Sequence, residues 1–264
     1  MRFPPRGRSD GGAGICGSLA RVLNPGTPRA LATIARTTFR VSLSLLAAQA
    51  RGALTREGVD ARIDVWSREM LGALRLRVRV RGAENLRGWR AALVMSNHQS
   101  HFDVPVLFQV IPPSLRMVAK VELARVPVWG QAMRAGGIVF IDRSDRARAI
   151  ASLAQARAQL TDGVSVWIAP EGTRSLDGAL GTFKKGGFVL AEEVGADIVP
   201  VTVSGTRLAL PVHSRSPRQG VEVTVTVHPR VRPGDHPDRD ARVAAVRASI
   251  ASALPPAERV ENAR

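Results

Sequence analysis

The sequence predicts an α/β fold, in which helices flank a mixed, mostly parallel sheet and amphipathic helices precede it. From residue 91 onward, short apolar runs typical of buried strands recur along the chain. Helical patterns separate several of these runs, and such alternation is typical of layered α/β proteins. The chain has 264 residues, of which 45% are hydrophobic, so it can form one large domain with a sizeable core. We find no internal linker that would divide this core.

The positive charge is concentrated in the N-terminal third. Residues 1–90 carry 17 arginines, no lysine and six acidic residues, whereas residues 91–264 carry 21 basic and 16 acidic residues. Residues 1–29 are rich in Gly, Pro and Arg without periodicity, so we expect a flexible basic arm. A basic segment favours anionic partners, either nucleic acid or the anionic face of a membrane.

Residues 30–74 are predicted to form two helices, over residues 30–50 and 60–74, that associate with a membrane. Arg36 and Arg40 interrupt the apolar positions of the first helix. Because arginine at bilayer depth is costly, the pattern favours a helix that lies in the membrane interface over one that spans it. Packing on the protein's own core is the alternative.

Residues 75–235 are predicted to form the catalytic domain. Leu76, Val78 and Val80 alternate with arginines, which indicates an edge strand. The pattern predicts further strands at 91–95, 116–119, 137–141, 164–169, 198–203 and 221–227, the last of them antiparallel at an edge. Helices are predicted at 145–160 and 183–194. Residues 236–264 are expected to form a basic amphipathic helix, over 236–254, and a polar tail.

A dense polar cluster, Asn97-His98-Gln99-Ser100-His101-Phe102-Asp103, follows the strand at 91–95. His98 and Asp103 can meet if the chain turns into a helix between them. The carboxylate would then hold one ring nitrogen and leave the other free to act as a base. This arrangement lacks an enzyme nucleophile, so the attacking hydroxyl is expected to belong to the substrate.

Three further clusters lie at strands. Residues 136–143 read GGIVFIDR and place Asp142 and Arg143 at a strand end, and residues 169–175 read APEGTRS. In the latter, Gly172 allows a tight turn, while Thr173 and Arg174 offer donors suited to a phosphate. Residues 198–205 read IVPVTVSG, a buried strand. Each cluster alone has an ordinary explanation as a turn or core segment, but the four in this order are much more specific.

Together the four clusters resemble the glycerolipid acyltransferase family, and most closely the bacterial 1-acylglycerol-3-phosphate (lysophosphatidate) acyltransferases. The resemblance covers about residues 75–210, including Lys120-Val-Glu-Leu, and departs from the family at Ala169, where an aromatic residue is common. It implies acyl transfer from an acyl thioester, on CoA or acyl carrier protein, to the free hydroxyl of lysophosphatidate, giving phosphatidate. It also implies an enzyme of phospholipid biosynthesis at the cytoplasmic face of the cell membrane.

The resemblance also implies roles for individual residues. His98 matches the general base and Asp103 its orienting partner. Arg143, Glu171, Gly172, Thr173 and Arg174 match positions associated with the acceptor's glycerol phosphate, and Lys120 would add positive charge. Neither a cofactor nor a metal ion is expected.

The sequence is also compatible with three other functions. Another lysophospholipid could be the acceptor. His98, His101 and Asp103 could instead ligate a metal ion in a hydrolase. The basic charge also fits a nucleic-acid-binding protein, although aromatic residues are sparse and the four clusters would then be unexplained.

Overall fold

The structure, a computed structural model, describes residues 27–142, 146–214 and 216–259. The predicted basic arm lies outside these residues except for 27–29, which are helical. The described helices are α1 (Thr27–Ala50), α2 (Arg56–Ala73), α3 (Asp103–Val110), α4 (Trp129–Ala135), α5 (Arg146–Thr161), α6 (Gly186–Val194), α7 (Thr206–Ala209) and α8 (Arg239–Ser252). Short 3₁₀ helices occupy Ala83–Leu86, Val121–Arg125 and Pro256–Glu258.

The described residues form one seven-stranded sheet. Its strands are β1 (Arg77–Arg81), β2 (Leu93–Ser96), β3 (Leu115–Lys120), β4 (Val139–Ile141), β5 (Ser165–Ile168), β6 (Ile198–Ser204) and β7 (Glu222–Val227). They are arranged in the order β1-β7-β6-β2-β5-β3-β4. Neighbouring strands are parallel except for the antiparallel pair β6–β7, so the predicted mixed, mostly parallel sheet is confirmed.

Side chains alternate between the two faces of the central strands, as the period of two requires. In β2, Val94 packs into the core between the sheet and α3, whereas Leu93 and Met95 pack into the core on the other face. The second core also contains residues of α5, α6 and α8, such as Phe188 and Ile250, both fully buried. The sheet is therefore covered on both faces, which is typical of strands in parallel sheets.

The helical hairpin α1–α2 packs against α3 and α4. Thr55 caps α2 by accepting from the Gly58 N–H at 3.1 Å. The Gln109 amide of α3 donates to Asp64 Oδ1 at 2.9 Å and to Ser67 Oγ at 2.8 Å, both on α2. One face of α1 is buried, while Leu31, Phe39 and Leu43 are exposed. Among the described residues, no helix is both long and apolar enough to cross a lipid bilayer.

The structure corrects two sequence predictions about this frame. β7 is antiparallel as predicted, but it is not an edge strand, because β1 pairs with its other side and forms the edge. The chain between His98 and Asp103 is a loop with a turn at residues 101–102, and α3 begins only at Asp103. The pattern also missed α3, α4 and α7, because they are short and lack a full amphipathic repeat.

Candidate active site

The four sequence clusters meet at one edge of the sheet. Strands β6, β2, β5, β3 and β4 are mutually parallel, so their carboxyl ends lie at the same edge. The His98 cluster follows β2, which lies between β6 and β5 at the centre of the sheet. The APEGTRS cluster follows β5, and the GGIVFIDR cluster contains β4. Segments that are far apart in sequence therefore lie at the same edge of the sheet as His98.

His98 and Asp103 form a hydrogen-bonded pair. His98 Nδ1 lies 2.7 Å from Asp103 Oδ2, and the side chain of Asp103 is fully buried while that of His98 is 18% exposed. The same oxygen accepts from the N–H groups of Gln99 at 2.7 Å and Ser100 at 2.9 Å. A carboxylate that receives these donors acts only as an acceptor, so Nδ1 carries the hydrogen. Nε2 is then the nitrogen with a free lone pair.

The other oxygen of Asp103 and the plane of the imidazole are also fixed. Thr206, at the start of α7, donates its hydroxyl to Asp103 Oδ1 in a short hydrogen bond. The Trp167 ring meets the His98 ring edge to face, with centroids 5.6 Å apart. Thr206 follows the fourth cluster by one residue but lies 103 residues from Asp103, so sequence reasoning did not identify it. The supporting contacts hold the pair in one geometry.

Glu171 connects the third cluster to the backbone of His98. Its Oε1 accepts from the His98 N–H at 2.9 Å, and its Oε2 accepts from the Gly181 N–H at 2.8 Å. Burial raises the pKa of the Glu171 carboxyl, and the two N–H donors oppose that rise. The Ser175 N–H donates to the His98 carbonyl at 2.7 Å. Both peptide groups of His98 are thus held by the segment 171–181, and the role of Glu171 in acceptor binding stays a prediction.

The loop after Glu171 carries groups suited to an anion. Gly172 has φ +75°, the left-handed conformation that favours glycine, which supports the tight turn predicted there. Thr173 is exposed, and neither it nor Arg174 makes a hydrogen bond or ion pair with another described residue. Lys184 lies over Gly172, where a Cβ would come within 3.3 Å of its Nζ. Sequence reasoning missed Lys184, although Thr-Phe-Lys-Lys-Gly before α6 was a visible basic signal.

The two remaining predicted binding residues are Lys120 and Arg143. Lys120 is the last residue of β3 and has an exposed side chain. Arg143 follows β4 by two positions and lies outside the described residues, so its predicted role is unchanged. Lys120 makes no ion pair within the part of the chain that the structure describes.

A buried network joins the His98 cluster to the C-terminal segment. The Gln99 amide donates to Glu258 Oε2 at 2.8 Å, and the Leu180 N–H donates to the Glu258 carbonyl at 3.2 Å. Asn97 exchanges two hydrogen bonds of 2.8 Å with the backbone of Val203 in β6. These contacts attach the residues on both sides of His98 to β6 and to the C-terminal segment. The contribution of Glu258 could not be found from sequence, since it lies 159 residues from Gln99.

His101 does not join the pair. Its side chain is exposed, and partial desolvation together with the positive charge of Arg174 lowers the pKa of its imidazole. Arg174 therefore lies close enough to influence the His98 cluster. Within residues 27–142, 146–214 and 216–259, no group of three or more His, Cys, Asp or Glu side chains is placed to hold a metal ion. His98, His101 and Asp103 accordingly do not form a metal site.

Comparison with known proteins points to one family. Residues 77–204 match the family model described as Acyltransferase. The chain is 36% identical over 181 residues to a 1-acyl-sn-glycerol-3-phosphate acyltransferase of Chlamydomonas reinhardtii, covering 68% of this chain and 54% of that protein. It is 39% identical over 155 residues to the 1-acyl-sn-glycerol-3-phosphate acyltransferase of Saccharomyces cerevisiae, covering 58% and 48%. The chain spans about half the length of these curated relatives.

A solved structure shares the fold. The crystal structure of the 1-acyl-sn-glycerophosphate (LPA) acyltransferase PlsC from Thermotoga maritima matches with a TM-score of 0.70 and 26% sequence identity. The match covers 85% of this chain and 94% of that chain. It confirms the predicted fold class, including helices before the sheet.

Proposed function

From the premise that residues 77–204 are an acyltransferase-family domain, we propose that the protein transfers an acyl chain from a thioester to the free hydroxyl of 1-acylglycerol-3-phosphate. The product is phosphatidate, and a thiol is released. The similar proteins named as 1-acyl-sn-glycerol-3-phosphate acyltransferases support this choice of acceptor. The observation that carries the chemistry is the His98–Asp103 pair with its second ring nitrogen unoccupied.

In the proposed mechanism, His98 Nε2 takes the proton from the acceptor hydroxyl while the oxygen attacks the thioester carbonyl. Asp103 holds the tautomer and stabilises the imidazolium that forms. The tetrahedral intermediate then expels the thiolate, which takes the proton back from His98. Both the new ester bond and the free thiol are thereby accounted for, and no acyl-enzyme is needed.

Three hydroxyls next to the His98–Asp103 pair are engaged in other hydrogen bonds. Ser100 Oγ donates to the Leu210 carbonyl at 2.9 Å, Ser96 Oγ donates to the Asn97 carbonyl at 2.9 Å, and Thr206 donates to Asp103. No described hydroxyl hydrogen-bonds to His98 Nε2. This arrangement supports a substrate hydroxyl as the nucleophile, in contrast to a serine hydrolase, where an enzyme hydroxyl bonds the histidine.

The acceptor phosphate is assigned to the basic groups at the same edge. Arg174 can bind a phosphate bidentately, and Lys184 extends over Gly172 beside it. Lys120, Arg143 and Thr173 complete the proposed set. Lysophosphatidylcholine carries a phosphodiester and a quaternary amine instead of a phosphomonoester, so this charge favours lysophosphatidate.

We further infer that the α1–α2 hairpin holds the enzyme on the cytoplasmic face of the membrane. On α1, Phe39 and Leu43 follow Arg36 and Arg40 by three positions, so each exposed apolar side chain lies next to an arginine. This arrangement suits a helix that buries apolar side chains below the headgroups. Replacing Phe39 and Leu43 with serine should weaken binding to phosphatidylcholine vesicles. The same change at Leu176 and Leu208, which are also exposed, removes apolar surface elsewhere and should leave binding unchanged.

The test of the reaction is acyl transfer by purified protein in mixed micelles. Acyl-CoA or acyl carrier protein is supplied as donor, with lysophosphatidate or lysophosphatidylcholine as acceptor. Replacing His98 with alanine should cost about 10²–10⁴-fold in kcat, the usual contribution of a general base. His101→Ala serves as the matched control in the same loop. Replacing Arg174 with alanine should mainly raise KM for lysophosphatidate.

The outcomes separate the parts of the proposal. Phosphatidate formed by wild type, and not by the His98 variant, supports both the reaction and the base. Acylation of lysophosphatidylcholine alone would contradict the acceptor. Full activity of the His98 variant would contradict the site, and absence of transfer with both donors and both acceptors would contradict the activity.

A further inference from the structure

A second basic site lies away from the four clusters, in a cleft between α1 and α2. The cleft has a volume of about 680 Å³, within the range of pockets that hold small organic ligands. Its lining residues come from α1 and from the C-terminal half of α2, together with Arg75 just after α2 and Gln219 before β7. Five arginines lie along it, namely Arg29, Arg36, Arg40, Arg68 and Arg75.

The positive charge of the cleft is only partly compensated. Arg40 pairs with Glu69 at 2.5 Å, and Arg68 pairs with Asp64 outside the lining. By contrast, Arg29, Arg36 and Arg75 make no ion pair with another residue in the described part of the chain. Glu69 is the one acid among the described lining residues, so the lining carries an excess of positive charge. Such an excess in a concave site attracts an anion.

The floor of the cleft leaves room for a ligand among these guanidinium groups. Gly72 and Ala73 form the end of α2 that faces the cleft, and a Cβ on Gly72 would meet no atom within 4 Å. Arg75 lies just beyond this floor and has φ +50°, a left-handed conformation that is uncommon for a residue with a Cβ. α2 ends at Ala73, and Arg75 lines the cleft together with the α1 arginines.

We propose that this cleft binds the phosphomonoester headgroup of an anionic membrane lipid. Guanidinium groups recognise phosphate oxygens through paired charge-assisted hydrogen bonds, and a phosphomonoester offers three such oxygens with up to two charges. A lipid is the occupant because the exposed Phe39 and Leu43 of α1 lie next to the cleft residues Arg36 and Arg40, where acyl chains can cover them. This site is separate from the proposed acceptor site and does not depend on the proposed activity.

The experiment measures vesicle binding, which needs no turnover. Phosphatidylcholine vesicles are doped with phosphatidate or with phosphatidylglycerol, a phosphodiester, at matched surface potential. Wild type should bind the phosphatidate vesicles about tenfold tighter, the factor that roughly one extra charge-assisted hydrogen bond provides. The triple variant Arg29→Gln, Arg36→Gln, Arg75→Gln should lose this preference. Arg174→Ala, which alters the proposed acceptor site, should keep it, and this separates a failure of this proposal from a failure of the proposed function.

A matched control removes equal charge elsewhere. Arg77, Arg81 and Arg87 are exposed, lie outside the described lining, and their triple replacement with glutamine should leave the preference intact. The variant Glu69→Gln should have the opposite effect. It removes the negative charge of the cleft and the ion pair with Arg40, so the preference for phosphatidate vesicles should increase. Equal binding of wild type to both vesicles, or equal loss in both triple variants, would overturn the proposal. Inhibition by inorganic phosphate at the concentration of the lipid headgroup would overturn the assignment to a lipid.

Discussion

Replacing Asp103 with asparagine isolates the charge of the carboxylate from its geometry. An asparagine could in principle donate to His98 Nδ1 and impose the wrong tautomer. Here the N–H groups of Gln99 and Ser100 point at the same oxygen position as His98 Nδ1, at 2.7 and 2.9 Å. Those two donors require an acceptor, so the amide oxygen must occupy that position and the amide nitrogen must face Thr206, whose hydroxyl can turn to accept.

The expected cost follows from the charge alone. With charge centres about 4 Å apart and an effective dielectric constant of about 20, the imidazolium–carboxylate attraction is about 4 kcal/mol. Losing it completely would slow the step about 10³-fold, and a proton only partly transferred in the transition state would lose less. We therefore expect kcat to fall about 10²–10³-fold with KM for lysophosphatidate nearly unchanged, because the side chain of Asp103 is fully buried.

The assay is the continuous release of free thiol from acyl-CoA, with unfolding by urea measured alongside. Replacing Thr206 with valine removes the donor to the other oxygen and keeps the carboxylate, so it should cost much less in kcat. A fall in kcat of about 10⁴-fold or more is the scale known for a wrong histidine tautomer. Such a fall would refute the amide orientation inferred above. A loss below about threefold would refute a role for the carboxylate charge in the reaction.

Three further predictions concern the surroundings of the pair. Because burial raises the pKa of Glu171 above its ordinary value of 4.5, the unfolded chain releases this proton first, so stability falls as pH rises from about 4.5 through the higher folded-state pKa. Urea denaturation across this window should show a smaller fall for Glu171→Gln, and an identical slope would contradict the assignment. Lys184→Gln should raise KM for lysophosphatidate severalfold. The control Lys185→Gln, which removes a lysine that pairs with Asp240 of α8, should leave KM unchanged. Equal effects on KM would show that Lys184 is not part of the acceptor site. Glu258→Ala leaves the buried Gln99 amide with only its long hydrogen bond of 3.5 Å to the Gly178 carbonyl, which should cost about 1–3 kcal/mol of unfolding free energy and lower kcat. An unchanged kcat would limit Glu258 to stability.

The parts of the fold that follow from local patterns could be predicted. Seven strands and the long helices have clear periodicities, and residues after parallel strands necessarily share one edge. His98 and Asp103 are five residues apart, so their contact was within reach of sequence reasoning, although a loop and not a helix brings them together. The edge position of β1 also followed from its alternating arginines.

The long-range contacts could not be predicted, because they depend on the order of strands in the sheet. Glu171 reaches the His98 N–H across 73 residues, and Thr206 reaches Asp103 across 103. No sequence pattern indicates that β5 and β6 flank β2 in the sheet. The residues that contact the loop after β2 could therefore not be identified.

The two-sided attachment of His98 to the segment 171–181 has a consequence for engineering this protein. The Glu171 carboxylate holds its N–H and the Ser175 N–H holds its carbonyl, so the loop proposed to recognise the acceptor also sets the position of the base. Changes to the residues that recognise the acceptor would therefore also affect the position of His98. A loop transplanted from a relative with another acceptor would shift His98 as well. An exchange of acceptor specificity should therefore succeed only when the segment 171–181 and the His98 cluster are exchanged together.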